Sequence, residues 1–450
     1  MPRRLSSVIG RASISAALAA SLLGVGTAAE AKSPNPATPG NFTGYGFDQC
    51  LAPTQKAMNT WLNHSPFLAV GIYIAGDSRG CRSQPNLTKK WVRVQINKGW
   101  RLMPITLGPQ APCNPSFPRY SDDKVINPSP GAEKRYSKAA KQGTAEAKKA
   151  VDAAAKLGIS KGSTLWYDLE GFSISITDCR ESSLRFLSAW TKQIHRLGYA
   201  SGVYSSSGSG IKMLDDARTK RADSFTMPDQ IWIARWDGKA NTSADGISEA
   251  GWNPGGRMKQ YQGGHYETWG AVTINIDRNW LDLGKGTRGN KESHCGGVAI
   301  NSTNYPKLRE PTATKKPNST YVEILKCVLS ERAGWTGTID GTYGSRIRKF
   351  VVDWKVAHRL DATATVNLPT WVALFSSGKK RVVKFGSGEA SVRDLQRALN
   401  AAMPKADVHT DGVFGLDTAS AVTRYQKRVG ISPSGIANTD TWKALKRGRI

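Results

Sequence analysis

Thr164-Leu165-Trp166-Tyr167-Asp168-Leu169-Glu170 is a short apolar run that ends in two carboxyl side chains. A run of this length and composition reads as a buried strand. Residues 180–197 downstream are strongly amphipathic at helical spacing, and Gly198 follows as a stop signal. A second apolar run, 200–204, comes next. Strand, helix, strand is the repeating unit of parallel α/β architecture.

The alternation extends in both directions. Apolar runs occur at 44–47, 69–74, 101–107, 164–169, 200–204, 230–235, 258–261 and 272–276, and 54–62 and 144–157 carry apolar residues at helical spacing. Eight such units predict a closed (β/α)8 TIM-type barrel over 44–284. An open doubly wound sheet is the alternative. It would carry a Gly-rich phosphate turn after an early strand, and none is present.

A barrel enzyme builds its site at the C-terminal ends of its strands. Strand one ends in Asp48, strand four in Asp168 and Glu170, strand six in Trp236-Asp237, and strand eight in Asp277; strand seven carries Gln260 and Gln262. Asp168 and Glu170 are two apart, so an extended backbone turns both to one face. Repulsion and burial would raise one pKa. A protonated acid beside an ionised carboxylate is what glycosidic cleavage needs. An isolated D-x-E is more simply a helix cap or an Arg partner; the acids on strands one and eight favour a functional cluster. Tyr73, Tyr204, Trp236 and Tyr261 fall near strand ends, where flat rings can stack on sugars.

Lys and Arg number 63 against 35 Asp and Glu, a formal +28. That excess favours polyanions: nucleic acid, acidic membranes or anionic cell-wall polymers. The N-terminus chooses among them. Arg3 and Arg4, an apolar stretch over 12–26 and Ala29-Glu30-Ala31 read as a secretory signal peptide over 1–31, with a mature chain from near Lys32. The apolar stretch is short for a membrane anchor, and the residues after the Arg pair fit a twin-Arg signal poorly. No second long apolar run occurs, so no transmembrane span is expected in the mature chain. Export disfavours nucleic acid and permits disulfides. The six cysteines form no C-x-x-C pattern and the six His are scattered, so no metal and no cofactor are expected. Cys50, Cys81, Cys113 and Cys179 follow strands one to four and are expected to make two bridges among themselves, connectivity open. Cys295 and Cys327 are expected to pair.

Residues 32–43 and 285–319 are polar and Pro-, Asn- or Gly-rich, and read as linkers. Beyond them lies a repeat. Asp340-Gly341-x-Tyr343-Gly344 recurs as Asp411-Gly412-x-Phe414-Gly415, and Trp371 recurs as Trp442. The copies span 320–376 and 388–448, each reading as three helices. Cys327 aligns with Arg397, which predicts a solvent-facing position that a Cys295 bridge can reach.

Gly46-Phe47-Asp48-x-Cys50, Gly71-Ile72-Tyr73-Ile74, Trp100-Arg101-Leu102, Gln110-Ala111-Pro112-Cys113, Tyr167-Asp168-Leu169-Glu170-Gly171 and Gly202-Val203-Tyr204 together resemble the actinobacterial glycoside-hydrolase-like family catalogued as domain of unknown function 1906. That family is more distantly similar to the family 25 lysozymes, which the D-x-E, Ile231-Trp232-Ile233-Ala234, Gln260-Tyr261 and Asp277 also resemble. The resemblance implies Glu170 as general acid, Asp168 as the residue that orients or stabilises the reacting sugar, and Asp48 and Asp277 as pocket walls. Arg278, directly after Asp277, departs from the lysozyme pattern and is placed to pair with the acids. The second repeat (Asp411-Gly412-Val413-Phe414-Gly415, Tyr425-Gln426, Pro433-x-Gly435, Thr441-Trp442) resembles the three-helix peptidoglycan-binding domain. The first is degenerate, with Lys355 where Gln426 stands. Two functions compete: a secreted, wall-tethered muramidase-like hydrolase, and a wall-binding or scaffold protein whose barrel has lost turnover.

Overall fold

Eight strands close into one barrel in chain order: β1 (Phe42–Asp48), β2 (Ala69–Ala75), β3 (Arg101–Thr106), β4 (Thr164–Asp168), β5 (Ala200–Ser206), β6 (Gln230–Ala234), β7 (Gly256–Trp269) and β8 (Val272–Leu283). This is a computed structural model that describes residues 34–450. The signal peptide expected over 1–31 lies outside the described residues. No helix among those described is long and apolar enough to cross a membrane.

β1 to β7 pair in parallel, but β8 runs antiparallel to both β7 and β1. The expectation of eight parallel βα units is corrected here. Gly270 and Ala271, with φ of 54° and 64°, join β7 to β8. Two residues at positive φ make a hairpin turn that matches the sheet twist, whereas a parallel crossover needs a dozen residues or more. Residues 235–255, between β6 and β7, form a loop rather than a helix.

Helices α1 (Gln55–His64), α2 (Lys89–Asn97), α3 (Ser137–Leu157), α4 (Thr177–Arg196) and α5 (Gly210–Lys220) flank the strands. Thr54 and Thr88 cap α1 and α2 by accepting the Ala57 and Trp91 amides. Phe47, on the outer side of β1, packs with Trp61, Phe67 and Trp100 at ring separations of 4.9, 5.4 and 6.0 Å. Part of the expected 32–43 linker is ordered against the barrel: buried Thr38 donates to Leu102 O (2.8 Å) and accepts from its amide (2.6 Å).

The C-terminal region is all helical: α6 (Ser319–Ala333), α7 (Ser345–Ala357), α8 (Leu368–Ser376), α9 (Ala390–Ala402), α10 (Leu416–Arg428) and α11 (Thr439–Lys446). The two copies share one continuous core, in which Leu325 and Trp371 of the first join Leu395 and Trp442 of the second. The degenerate copy keeps its braces by a change of donor. Gln396 holds the second turn through Asp411 Oδ1 (2.8 Å) and the Gly412 amide (2.9 Å). Lys326 holds the first through Asp340 Oδ1 (2.8 Å). Lys355 likewise spans Asp361 (3.0 Å) and Thr365 O (2.7 Å), as Gln426 spans Gly435 N and Ile436 O (2.9 Å each).

Residues 285–319 pack rather than dangle. Ile300, Tyr305 and Leu308 are buried in the helical core, and Cys295 is bonded to Cys327. This segment covers the site expected to face solvent. Cys327 is 0% exposed and its counterpart Arg397 1%, with Arg397 bonded to Asn301 (2.8 Å) and Glu292. Lys384 ties the helical body to the barrel. Its buried ammonium donates to Trp61 O, Ser65 O and Phe67 O (3.3, 2.6 and 3.1 Å), carbonyls at the C-terminal end of α1, where a cation also suits the helix dipole. That is the end of the barrel from which β2 begins, opposite the mouth where the carboxyls gather.

Candidate active site

Side chains at alternate positions of each strand point into the barrel. The β1–β8 register sets Asp48 opposite Asp277 and Gly46 opposite Asn279. Because β8 is antiparallel, Asp277 reaches the mouth from the middle of its strand and not from the C-terminal end, which corrects the expected placement. Gly71 makes the room: a Cβ there would stand 2.5 Å from the Asp48 Cβ. Gly71→Ala is therefore expected to cost about 1–3 kcal/mol of barrel stability, as overpacking does. Urea unfolding measures it, and an unchanged midpoint would refute the close fit.

A defined network holds Asp48. Asn279 Nδ2 donates to its Oδ1 at 2.6 Å, and Gln260 Nε2 reaches both oxygens at 3.3 Å. Both amides are oriented from behind. Asn279 Oδ1 accepts from Trp232 Nε1 (2.8 Å); Gln260 Oε1 accepts from Tyr204 OH (3.0 Å) and Trp236 Nε1 (2.9 Å). Asp277 faces Asp48 across the β1–β8 pair.

Asp168, 2% exposed, takes a hydrogen bond from Tyr73 OH on Oδ2 (3.2 Å), and its Oδ1 has no partner among the described residues. Glu170 lies just beyond β4, and Gln110 keeps the chain extended there. The Gln110 side chain donates to Asp168 O (2.8 Å) and accepts the Glu170 amide (2.8 Å), as a neighbouring strand would. The Glu170 carboxyl is half-buried and lines a cleft of about 230 Å³ with Asp48, Asp277, Tyr73, Asn275, Arg79 and Arg119. Two disulfides, Cys50–Cys81 and Cys113–Cys179, tie the loops at this rim.

Burial is the main cause that raises all four carboxyls. Asp48 is pushed well above the usual range by burial and then by Asp277, and Asp168 by burial and then by Glu170. Asp277 is pushed up to about 6. Burial raises Glu170, and Arg119 opposes it. A carboxyl whose folded pKa is raised contributes stability that is present below its unfolded pKa, near 4, and lost as pH rises through the folded value. The barrel is thus expected to lose stability between pH 4 and about 6, the value for Asp277. Urea unfolding across that window checks this, and Asp277→Asn should flatten the fall. Stability that rose with pH there would contradict the burial of these acids.

The expected site residues separate into two groups. Asp48, Tyr73, Asp168, Glu170, Tyr204, Gln260 and Asp277 gather at the mouth, with Trp236 (66% exposed) at its edge. Tyr261 does not join them: it is buried at a break in the β7–β8 register, one residue out of phase with Gln260. Arg278 pairs with Glu267 and not with the acids, since it follows Asp277 and faces the other side of β8. Asp237 pairs with buried Lys259 (3.0 Å). Asn279, Arg79 and Arg119 were not singled out by sequence, and Gln110 was quoted only within a motif of the resemblance and not as a site residue. Asn279 shares the inward phase of Asp277 and was legible in a longer strand; the other three lie on loops without a period. Among the described residues the one grouping with metal-ligand spacing is Cys295, Cys327 and Glu331, and its two sulfurs are bonded to each other.

Residues 59–281 match the model of the Rv2525c-like, glycoside hydrolase-like domain, and residues 388–445 match that of a peptidoglycan binding domain. No curated protein matches the chain. Among solved structures, an uncharacterized B. stearothermophilus protein is 17% identical with a TM-score of 0.35, over 53% of this chain and 95% of that one. The Mycobacterium tuberculosis Tat-secreted protein Rv2525c, in complex with L-tartrate, is 12% identical with a TM-score of 0.35, over 53% and 95%. The modular autolysin LytC from Streptococcus pneumoniae is 10% identical with a TM-score of 0.32, over 53% and 46%. The chain therefore carries an Rv2525c-like glycoside-hydrolase-like domain and, C-terminal to it, a peptidoglycan-binding domain.

Proposed function

We propose that the protein is exported and cleaves the glycan strands of peptidoglycan as a muramidase-like glycoside hydrolase, held at the wall by its helical body. The observation that carries this is the set of four carboxyls gathered at the barrel mouth, of which Asp48 and Asp168 are buried and Glu170 stands half-open to the cleft just beyond β4. In this reading Glu170 is the general acid and protonates the glycosidic oxygen as the bond breaks. Asp168, fixed by Tyr73, orients the sugar and supports the cationic centre. Asp48 and Asp277 line the pocket, and Trp236, Tyr204 and Gln260 form its sugar-facing edge. The likeness of Asp168-x-Glu170 to the family 25 lysozymes belongs to this proposal, as does export by the 1–31 segment. Tethering raises local substrate concentration without altering the chemistry, and the +28 charge adds salt-sensitive attraction to anionic wall polymers.

One observation favours the other reading, a barrel that binds glycan without cutting it. Arg119 stands close enough to Asp168 and Glu170 to oppose their protonation. Digestion of purified peptidoglycan separates the two. Hydrolysis yields soluble fragments with new reducing ends; sedimentation with the wall and no fragments means binding alone.

A further inference from the structure

The carboxyl cleft has a cationic wall. Arg79 and Arg119 line it together with Glu170, Asp48 and Asp277. Arg79 Nε donates to Gly76 O (2.7 Å) and one of its Nη atoms to Tyr73 O (3.2 Å). Arg119 donates from one Nη to Ser78 O (3.1 Å), and its guanidinium rests 5.0 Å from the Phe117 ring centre. Every one of these hydrogen bonds goes to a backbone carbonyl, and neither arginine has an ion-pair partner among the described residues. The carbonyls orient the guanidinium groups without neutralising them.

The wall is also built to stay in place. The Cys50–Cys81 bridge anchors the loop that carries Arg79. Gly80 is wedged within it: a Cβ there would meet an Arg119 Nη at 3.1 Å and Cys50 Sγ at 3.6 Å. Fixed cations with unused donors beside a cleft suit an anion, and the planar fork of a guanidinium suits a carboxylate best. Glu170 and Asp277, lining the same cleft, repel a ligand that is anionic throughout. The fitting ligand carries its negative charge at one point on an otherwise neutral body.

We propose that Arg79 and Arg119 seat a carboxylate carried by the glycan, so that the cleft selects acidic glycans over neutral ones. This rests on the glycan reading above. It also removes the difficulty raised by Arg119: a carboxylate seated on that guanidinium screens its field from Asp168 and Glu170, so an acidic ligand itself favours the protonated donor.

Calorimetry on the full chain carrying Glu170→Gln, which prevents turnover, tests the proposal. The probes are a peptide-free tetramer of alternating N-acetylglucosamine and N-acetylmuramic acid, the same tetramer with its lactyl carboxyls reduced to alcohols, and the tetramer bearing stem peptides. The acidic tetramer is expected to bind about tenfold more tightly than the reduced one, a gap that shrinks in about 0.5 M salt. A preference confined to the peptide-bearing tetramer assigns the carboxylate to the stem peptide and supports the same arginine pair. Adding Arg79→Gln or Arg119→Gln should reduce the gap to about threefold or less, with the lysine variants keeping part of it. An unchanged melting temperature shows that each variant is folded. Equal binding of all three tetramers, or glutamine variants that keep the full gap, overturns the arginine assignment alone. No binding of any tetramer overturns the glycan reading and this inference with it.

Discussion

Glu170→Gln is expected to lower the release of reducing ends from peptidoglycan by about 10²–10⁴-fold, the usual contribution of a positioned general acid, while sedimentation with the wall stays unchanged. Two features of the structure separate these effects. Gln110 holds the backbone amide of residue 170, not its side chain, so an amide there leaves the local fold intact. The helical body meets the barrel through Lys384 at the α1 end, away from the mouth. Asp168→Asn should also be severely impaired but keep a residual rate, because Tyr73 still holds the side chain. Full activity in Glu170→Gln removes this residue from the mechanism.

The second large effect concerns stability. The Cys295–Cys327 bridge joins residues 32 apart in sequence, and in the chain-entropy model closing such a loop is worth roughly 3–4 kcal/mol, less any strain. Replacing both cysteines with serine leaves the barrel bridges untouched. The repeat pattern alone suggests that only the first copy would weaken. The shared core argues otherwise, because α6–α8 and α9–α11 bury Leu325, Trp371, Leu395 and Trp442 in one cluster. Both copies are expected to lose protection together in hydrogen exchange, with a lowered unfolding midpoint. Exchange that accelerates in α6–α8 alone, or an unchanged midpoint, would refute a single helical body.

How far the sequence carries the fold depends on the element. β4 and α4 were legible because apolar clustering and helical period agree locally. α2 was not: Trp91, Val92, Val94 and Ile96 in Lys89–Asn97 look as strand-like as helical, and the Thr88 cap decides the matter only once the structure is seen. The direction of β8 was present in a simple count, since few residues separate 258–261 from 272–276, too few for a crossover helix. Asp48, Asp168 and Glu170 were read from their places at strand ends, and Asp277 from an end that the antiparallel β8 does not have. Their supports were not, because Gln110, Arg79 and Arg119 reach the mouth along loops with no periodic signal. Packing of 285–319 was hidden for a related reason. Its polar composition reads as linker, and only the partners of Ile300, Tyr305 and Leu308 show it to be buried.

Burial is expected to hold protons on this carboxyl cluster, Glu170 included, to higher pH than exposed carboxyls keep them. Carbon-13 titration of the side-chain carboxyls in the full chain, with Glu170→Gln to assign the signal, measures this. Glu170 is expected to titrate above the ordinary Glu value of about 4.3, and Asp277 near the value of about 6 to which burial raises it. A Glu170 carboxyl that stayed ionised down to its ordinary value or below, with Asp48, Asp168 and Asp277 ionised beside it, would rule out Glu170 as the proton donor.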